Sequence, residues 1–465
     1  MSQHLSTKRL ELRAGDDSLA VNRRSWLQVG SLGLAGITLN TLAASKALAG
    51  STKSSSFGRA KRCVLLFLTG GAPQHDTFDP KPLAPGNIRG ELSPIATSVP
   101  GVHVSELFPL FARRVHHVTL LRSVTHDDTV HTSAGYTMLT GRRHPQANAR
   151  TAADIRPRTT DHPHVGSILS LVRTEAGAPT FVSLPEVIKD AAVNEFPGLN
   201  GGFLGGRYAP LLVEGSHQSA KFSPPPLKLA EEMSLARINA RRELFEQLSG
   251  RSIQNSYDAF RDRAYSLLAS SAVQQSFEIE RETEATRTRY GAHLFGQGCL
   301  MARRLLEAGV ALVSVYWQYE GPDDSPVWDT HGNNFPHLRN RLAPPTDAAL
   351  SALLDDFADR GLLDDTLVVA MGEFGRSPKI NAQAGRDHWP GVATVILAGA
   401  GIQSGAVYGA SDKIGGLPQS NPVTPADLTA TILHLLGVPP DLELRDQTGR
   451  PHIACTGSPV LGLFG

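Results

Sequence analysis

Three short strings gather most of the side chains in this chain that can do chemistry: WDTHGNN at 328–334, TLVVAMGEFGRSP at 366–378 and GRDHWP at 385–390. They supply Asp329, His331, Glu373 and His388. Oxygen and imidazole donors of this kind suit a divalent ion such as zinc, manganese or iron better than calcium. Asp329 and His331 lie two apart, so in an extended loop both side chains face one side. The same string is also good turn chemistry. Glu373 follows an apolar run and is too costly to bury unpaired. It is either a metal ligand or a carboxylate paired with Arg376 or Arg386. His388, between Asp387 and Trp389, is a ligand or catalytic group, or else a packed core residue. Arg376 and Arg386 offer planar guanidinium forks that can hold an anionic group in bidentate fashion.

These residues need a scaffold that brings them to one place. TLVVAMG at 366–372 reads as a buried parallel strand that empties into a polar loop. CVLLFLTGG at 63–71, VTLLRSVTHDD at 118–128, APTFVSL at 178–184, VALVSVYWQ at 310–318 and VATVILAG at 392–399 read as further strands. Between Pro226 and Pro322 there is no proline, and residues 227–308 read as a helical insertion. TDAALSALLDDFADRGLL has helical apolar spacing and a glycine stop. TPADLTATILHLLG has a Thr-Pro start and a glycine end. Strands alternating with helices imply an α/β fold, a doubly wound, mostly parallel sheet flanked by helices. In such sheets the ligand site lies outside the carboxyl ends of the strands. Several strands here end in His, Asp, Glu or Gly. The first leads to Asp76 and Asp79, and the second leads through His126, Asp127 and Asp128 to His131.

Composition narrows the function classes. The 465 residues are 41% hydrophobic and 19% charged, with a net charge of +1. That balance gives no support for nucleic-acid binding. Cys63, Cys299 and Cys455 are too few and too far apart for a disulfide framework. No nucleophile elbow, Walker loop or dinucleotide fingerprint is present. Residues 1–49 read as a twin-arginine signal: Arg23-Arg24 precedes the run GSLGLAGITLNTLAA, and Ala47-Leu48-Ala49 offers a cleavage site. The alternative is an arginine pair before a membrane anchor, but the run is short for a span of about 20 apolar residues. The translocase is then a partner during export, and no stable span is expected after cleavage. Residues 50–60 read as a Ser/Gly/Lys linker, and 61–465 as the folded domain.

Longer strings carry a resemblance. LTGGAPQHDTFDPKP at 68–82, HTSAGYTMLTGRRHP at 131–145, GFLGGRYAP at 202–210, WDTHGNN, GEFGRSPKINAQAGRDHWP and YGASD at 408–412 resemble a large exported bacterial family classed as a domain of unknown function (1501). That family belongs to the alkaline phosphatase and sulfatase clan. The resemblance covers nearly the whole mature chain. It implies an alkaline phosphatase/sulfatase-like fold with a two-metal site at the carboxyl edge of the sheet. Asp329 and His331 resemble the clan's Asp/His ligands, and His388 its last histidine ligand. Glu373 stands where clan enzymes usually show Asp-His. The chain departs from the clan at the first strand, which ends in Thr69-Gly70-Gly71 rather than Asp, so Asp76 is a possible substitute. LTGR at 139–142 is like the string that follows a sulfatase nucleophile, yet His131 stands in the nucleophile's place. The expected function is hydrolysis of phosphate or sulfate esters in the periplasm or outside the cell. Asp329, His331, Glu373 and His388 would hold metal, with Asp76 as a further candidate; His131 would act as catalytic general base or bind metal, and Arg376 and Arg386 would hold the anionic group. The partner would be an anionic small molecule or a sulfated or phosphorylated glycan. A degenerate member that binds such a glycan without turnover is the alternative, and a structural envelope protein is the third.

Overall fold

The computed structural model describes residues 56–465, except 149–154, 174–176, 186, 191–193, 217–218, 318–326 and 224–269, in which only 237, 240, 243 and 244 are described. The expected signal at 1–49 and much of the helical insertion at 227–308 therefore lie outside the described residues.

Eight strands share one sheet. In chain order they are β1 (Arg62–Phe67), β2 (Val118–Val124), β3 (Phe181–Leu184), β4 (Leu211–Leu212), β5 (Leu312–Tyr316), β6 (Thr366–Met371), β7 (Ala393–Ala398) and β8 (Ala406–Tyr408). Their order across the sheet is β8-β2-β7-β6-β1-β5-β3-β4. β1 pairs in parallel with β6 on one side and β5 on the other, Val64 lying opposite Val368 and Val313. β5 with β3, β3 with β4, and β2 with β8 are also parallel. Only β7 is reversed, antiparallel to both β6 and β2. The α/β class read from the alternation of strands and helices is the one found. The reversal of β7 left no mark in the sequence, because a strand covered on both faces is apolar whichever way it runs.

The sheet separates two cores. Val64 and Leu66 of β1 face one, shared with α3 (Leu294–Glu307) and α4 (Ala343–Asp359). Cys63, Leu65 and Phe67 face the other, shared with α1 (His131–Thr140), α2 (Val165–Val172) and α5 (Pro425–Leu435). This is the two-residue period of a strand with both faces buried. It explains why RCVLLF shows no polar alternation. Cys299 lies buried inside α3, where it is a packing residue.

Ser56–Gly465 forms one compact unit. Residues 56–60, read as the end of a linker, belong to it. Gly58 N–H donates to His434 O at 2.9 Å and Ala60 N–H to Leu435 O at 2.8 Å, closing on the end of α5. The described end of the helical insertion also belongs to the unit, since α3 packs on the sheet. Among the described residues no helix is long and apolar enough to cross a membrane.

The start of α5 is fixed by reciprocal capping. Asp427 N–H donates to Thr424 Oγ1 at 3.2 Å, and Thr424 N–H donates to the Asp427 carboxylate at 3.1 Å. Replacing Thr424 with alanine should lower stability by about 1 kcal/mol, read as a shift in the urea midpoint. An unmoved midpoint would show that the cap is dispensable.

Candidate metal centre

β1, β2, β5 and β6 all run the same way, so their carboxyl ends share one edge of the sheet. The loop after β5 carries Asp329 and His331 there. The loop after β2 carries His131 into the first turn of α1. The loop after β6 is Gly372-Glu373-Phe374-Gly375-Arg376. β7, being reversed, begins at this edge, so His388 arrives just before it. The loop after β1 is pressed against the others. Gly70 has φ +108°, and a Cβ there would lie 2.4 Å from Asp329 N. Only glycine permits that approach. Trp328 N–H donates to Thr69 O at 2.8 Å, which fixes Asp329 next to it.

His131, Asp329, His331 and His388 converge, each offering one ligand atom, all within 4.8 Å of one another. The histidines are held in one sense. His131 Nδ1 lies 2.6 Å from Glu373 Oε1. His388 Nδ1 lies 2.7 Å from the Thr129 carbonyl, and His331 Nδ1 lies 3.2 Å from Asp387 Oδ1. Each of these partners is a hydrogen-bond acceptor, so each ring, when neutral, carries its hydrogen on Nδ1 and its lone pair on Nε2. The Nε2 atoms turn inward. Those of His331 and His388 lie 2.8 Å apart. They lie 3.1 and 3.2 Å from Asp329 Oδ1, and His131 Nε2 lies 3.2 Å from Asp329 Oδ2. Lone pairs aimed at one another repel unless a cation or proton lies between them. The donor set therefore fits a metal ion: three nitrogens and a carboxylate oxygen, with each outer nitrogen fixed by an acceptor.

The charges agree. Arg376 Nη2 donates to Asp329 Oδ1. Burial works against the Asp329 charge, but Arg376 and the three histidines outweigh it and hold the carboxyl far below the usual range. Burial likewise opposes charge on His131, and its hydrogen bonds to Asp329 and Glu373 overcome this, raising it to about 9. His331 is raised, chiefly by its hydrogen bond to Asp329. His388 is lowered, chiefly by burial.

Glu373 stands behind His131. It is not among the four converging donors, nor is it paired with Arg376 or Arg386. Fully buried, its Oε1 accepts from Gly70 N–H at 2.8 Å and lies against His131 Nδ1. The next residue, Phe374, puts its ring 4.9 Å from that of His131 and 4.8 Å from that of His388. At Gly375 a Cβ would lie 2.2 Å from Val392 O, so the chain must be bare there.

Asp76 and Arg386 lie apart from the donors. Arg386 Nε donates to Asp76 Oδ2 at 2.7 Å and Nη2 to Asp76 Oδ1 at 3.0 Å, and both residues are fully buried. Asn334 Nδ2 donates to Asp76 Oδ2 at 2.9 Å. The remaining guanidinium hydrogens go to the carbonyls of Ser377, Pro378 and Ile88. A guanidinium has five N–H donors, so none is left for a bound anion. The reading of Arg386 as an anion clamp, and of Asp76 as a ligand, gives way to a buried structural pair. Arg376 is also fully buried and bonds to the Gly70, Gly71 and Arg386 carbonyls besides Asp329. It supports Asp329 from within. Sequence reasoning missed Asp387 as the partner of His331, because it stands next to His388. No sequence signal marks the Thr129 carbonyl.

A mostly parallel α/β sheet with a His/Asp cluster at its carboxyl edge defines the class. The chain belongs to the family described as protein of unknown function (DUF1501), whose model matches residues 60–461. It is similar to solved structures of the alkaline phosphatase and sulfatase kind. One is a protein in the alkaline phosphatase superfamily from Vibrio parahaemolyticus, at 13% identity, covering 83% of this chain and 68% of that one, with a TM-score of 0.38. Another is the PsFucS1 sulfatase from Pseudoalteromonas sp., at 13% identity, covering 83% and 69%, with a TM-score of 0.36. A third is the phosphonate monoester hydrolase SpPMH from Silicibacter pomeroyi, at 12% identity, covering 86% and 75%, with a TM-score of 0.37. No curated protein matches the chain significantly.

Proposed function

We propose that this protein is a metal-dependent hydrolase of phosphate or sulfate esters, with its ion held by His131, Asp329, His331 and His388. The observation that carries this reading is the anchoring of all three Nδ1 atoms while all three Nε2 atoms turn toward one carboxylate. Three nitrogens and one oxygen favour zinc, with iron next and manganese last. A divalent ion there would supply Lewis acidity, polarising an ester oxygen and acidifying water. The chain's own part is to fix the donors and admit substrate from one side. The side chain of His331 is 47% exposed, against 10% for His131, so solvent reaches the centre past His331. Thr132 and Ser133, beside His131, are fully buried. That favours direct attack by water over a covalent ester on either hydroxyl.

Two observations favour a second reading, metal binding without turnover. Arg376 and Arg386 are both fully buried, so neither can clamp the anionic group of an ester or glycan. Among the described residues there is one cluster of metal-type donors rather than two. Zinc-loaded protein should be assayed on aryl phosphate and aryl sulfate beside His388→Ala. Turnover lost in the variant supports hydrolysis. Tight zinc binding without turnover of either ester supports the second reading.

We assign the working place to the cell envelope, reached through the twin-arginine translocase, on Arg23-Arg24 and Ala47-Leu48-Ala49. Replacing both arginines with lysine should leave uncleaved precursor in the cytoplasm, seen by fractionation. Unchanged export would remove this assignment.

A further inference from the structure

We propose that Glu373 is the positioning residue of the metal centre, setting the tautomer and ring angle of His131 without touching the ion. The inference rests on the metal reading above. His131 differs from the other two ring ligands. His388 is oriented by a backbone carbonyl and His331 by an exposed carboxylate, whereas His131 is oriented by a carboxylate with no exposure at all.

Every contact of Glu373 serves that placement. Its backbone carbonyl lies 2.7 Å from His126 Nε2, which ties the end of β6 to the loop after β2. Gly70 N–H donates to its Oε1 at 2.8 Å, which ties it to the loop after β1. The same Oε1 stands 2.6 Å from His131 Nδ1. Two donors on one oxygen leave Oε2 buried with no hydrogen-bond partner. A buried carboxylate oxygen left this way is costly, and the one backbone N–H that the side chain satisfies, that of Gly70, is a small return for it. What the carboxylate provides, and an apolar residue could not, is a fixed acceptor for the Nδ1 proton, so that Nε2 stays a lone pair aimed at Asp329. A carboxylate behind a ligating histidine also raises the basicity of the ring.

The test uses the full mature chain and cobalt(II) as the probe, its affinity read by zinc competition and its geometry by the visible ligand-field spectrum. Glu373→Leu should weaken binding by about 10- to 100-fold and change the spectrum. Glu373→Gln keeps the size and one acceptor oxygen but loses the charge. It should fold, bind with an affinity between wild type and Glu373→Leu, and retain a spectrum close to wild type. A merely structural Glu373 would alter unfolding but leave the spectrum of the bound ion unmoved. If Glu373→Gln, and Glu373→Leu where it folds, bind cobalt as tightly as wild type with an unchanged spectrum, the positioning role is wrong while the metal reading stands. If the wild-type chain binds no cobalt or zinc, the metal reading itself falls and takes this proposal with it.

Discussion

Arg386→Ala should cost about 3–5 kcal/mol of folding stability, the largest single effect expected in this chain. The substitution leaves Asp76 fully buried with Asn334 as its one side-chain partner among the described residues. It also strips the Ser377, Pro378 and Ile88 carbonyls of their donor. An uncompensated buried charge and three orphaned carbonyls act in the same direction. Arg386→Lys should recover little, because an ammonium cannot copy the fork that meets both oxygens of Asp76. Removing both charges, as in Asp76→Asn with Arg386→Met, should be less damaging than Arg386→Ala alone. Guanidinium unfolding followed by circular dichroism reads all four proteins. A stable Arg386→Ala protein with weakened ester or anion binding would instead restore the arginine as a substrate clamp.

Asp329→Asn should remove metal binding while the chain still folds. Asp329 is the one residue that every other donor in the cluster touches, with Oδ1 toward His331 and His388 and Oδ2 toward His131. An amide keeps the volume but gives up the charge, and it has one acceptor oxygen where Arg376 and His131 each meet one now. The loss should exceed the roughly 10- to 100-fold expected when only an outer hydrogen-bond partner is removed. Metal content by elemental analysis and affinity by equilibrium dialysis read the effect, with circular dichroism as the check on folding. A variant that holds zinc as tightly as wild type would place any metal elsewhere.

Much of the fold could be read from the chain because strands covered on both faces leave long apolar runs. Cys63–Phe67, Leu312–Tyr316 and Thr366–Met371 are such runs and lie side by side in the sheet. The edge strands Leu211–Leu212 and Ala406–Tyr408 are too short to leave a pattern. At the centre, Asp329, His331 and His388 were legible as donor types near strand ends. Which acidic residue faces the cluster was not. Glu373 and Asp329 are both acidic residues in loops after strands, and only the third dimension shows that one faces the cluster and the other stands behind His131. The pairing of Asp76 with Arg386 joins residues 310 positions apart, which no local spacing can reveal. The GEFGR string stood out as a source of ligands. In the folded chain it supplies supports: Glu373 behind His131, Phe374 against two of the rings and Arg376 beneath Asp329.

The central claim is that this edge of the sheet holds one metal ion. Isothermal titration of zinc into exported, chelator-stripped protein tests it most directly, with His131→Ala, His331→Ala and His388→Ala measured beside wild type. The one cluster of such donors among the described residues predicts saturable binding of one zinc per chain, lost or strongly weakened in each variant. Failure of the wild-type chain to bind zinc, or binding that survives all three substitutions unchanged, would contradict it.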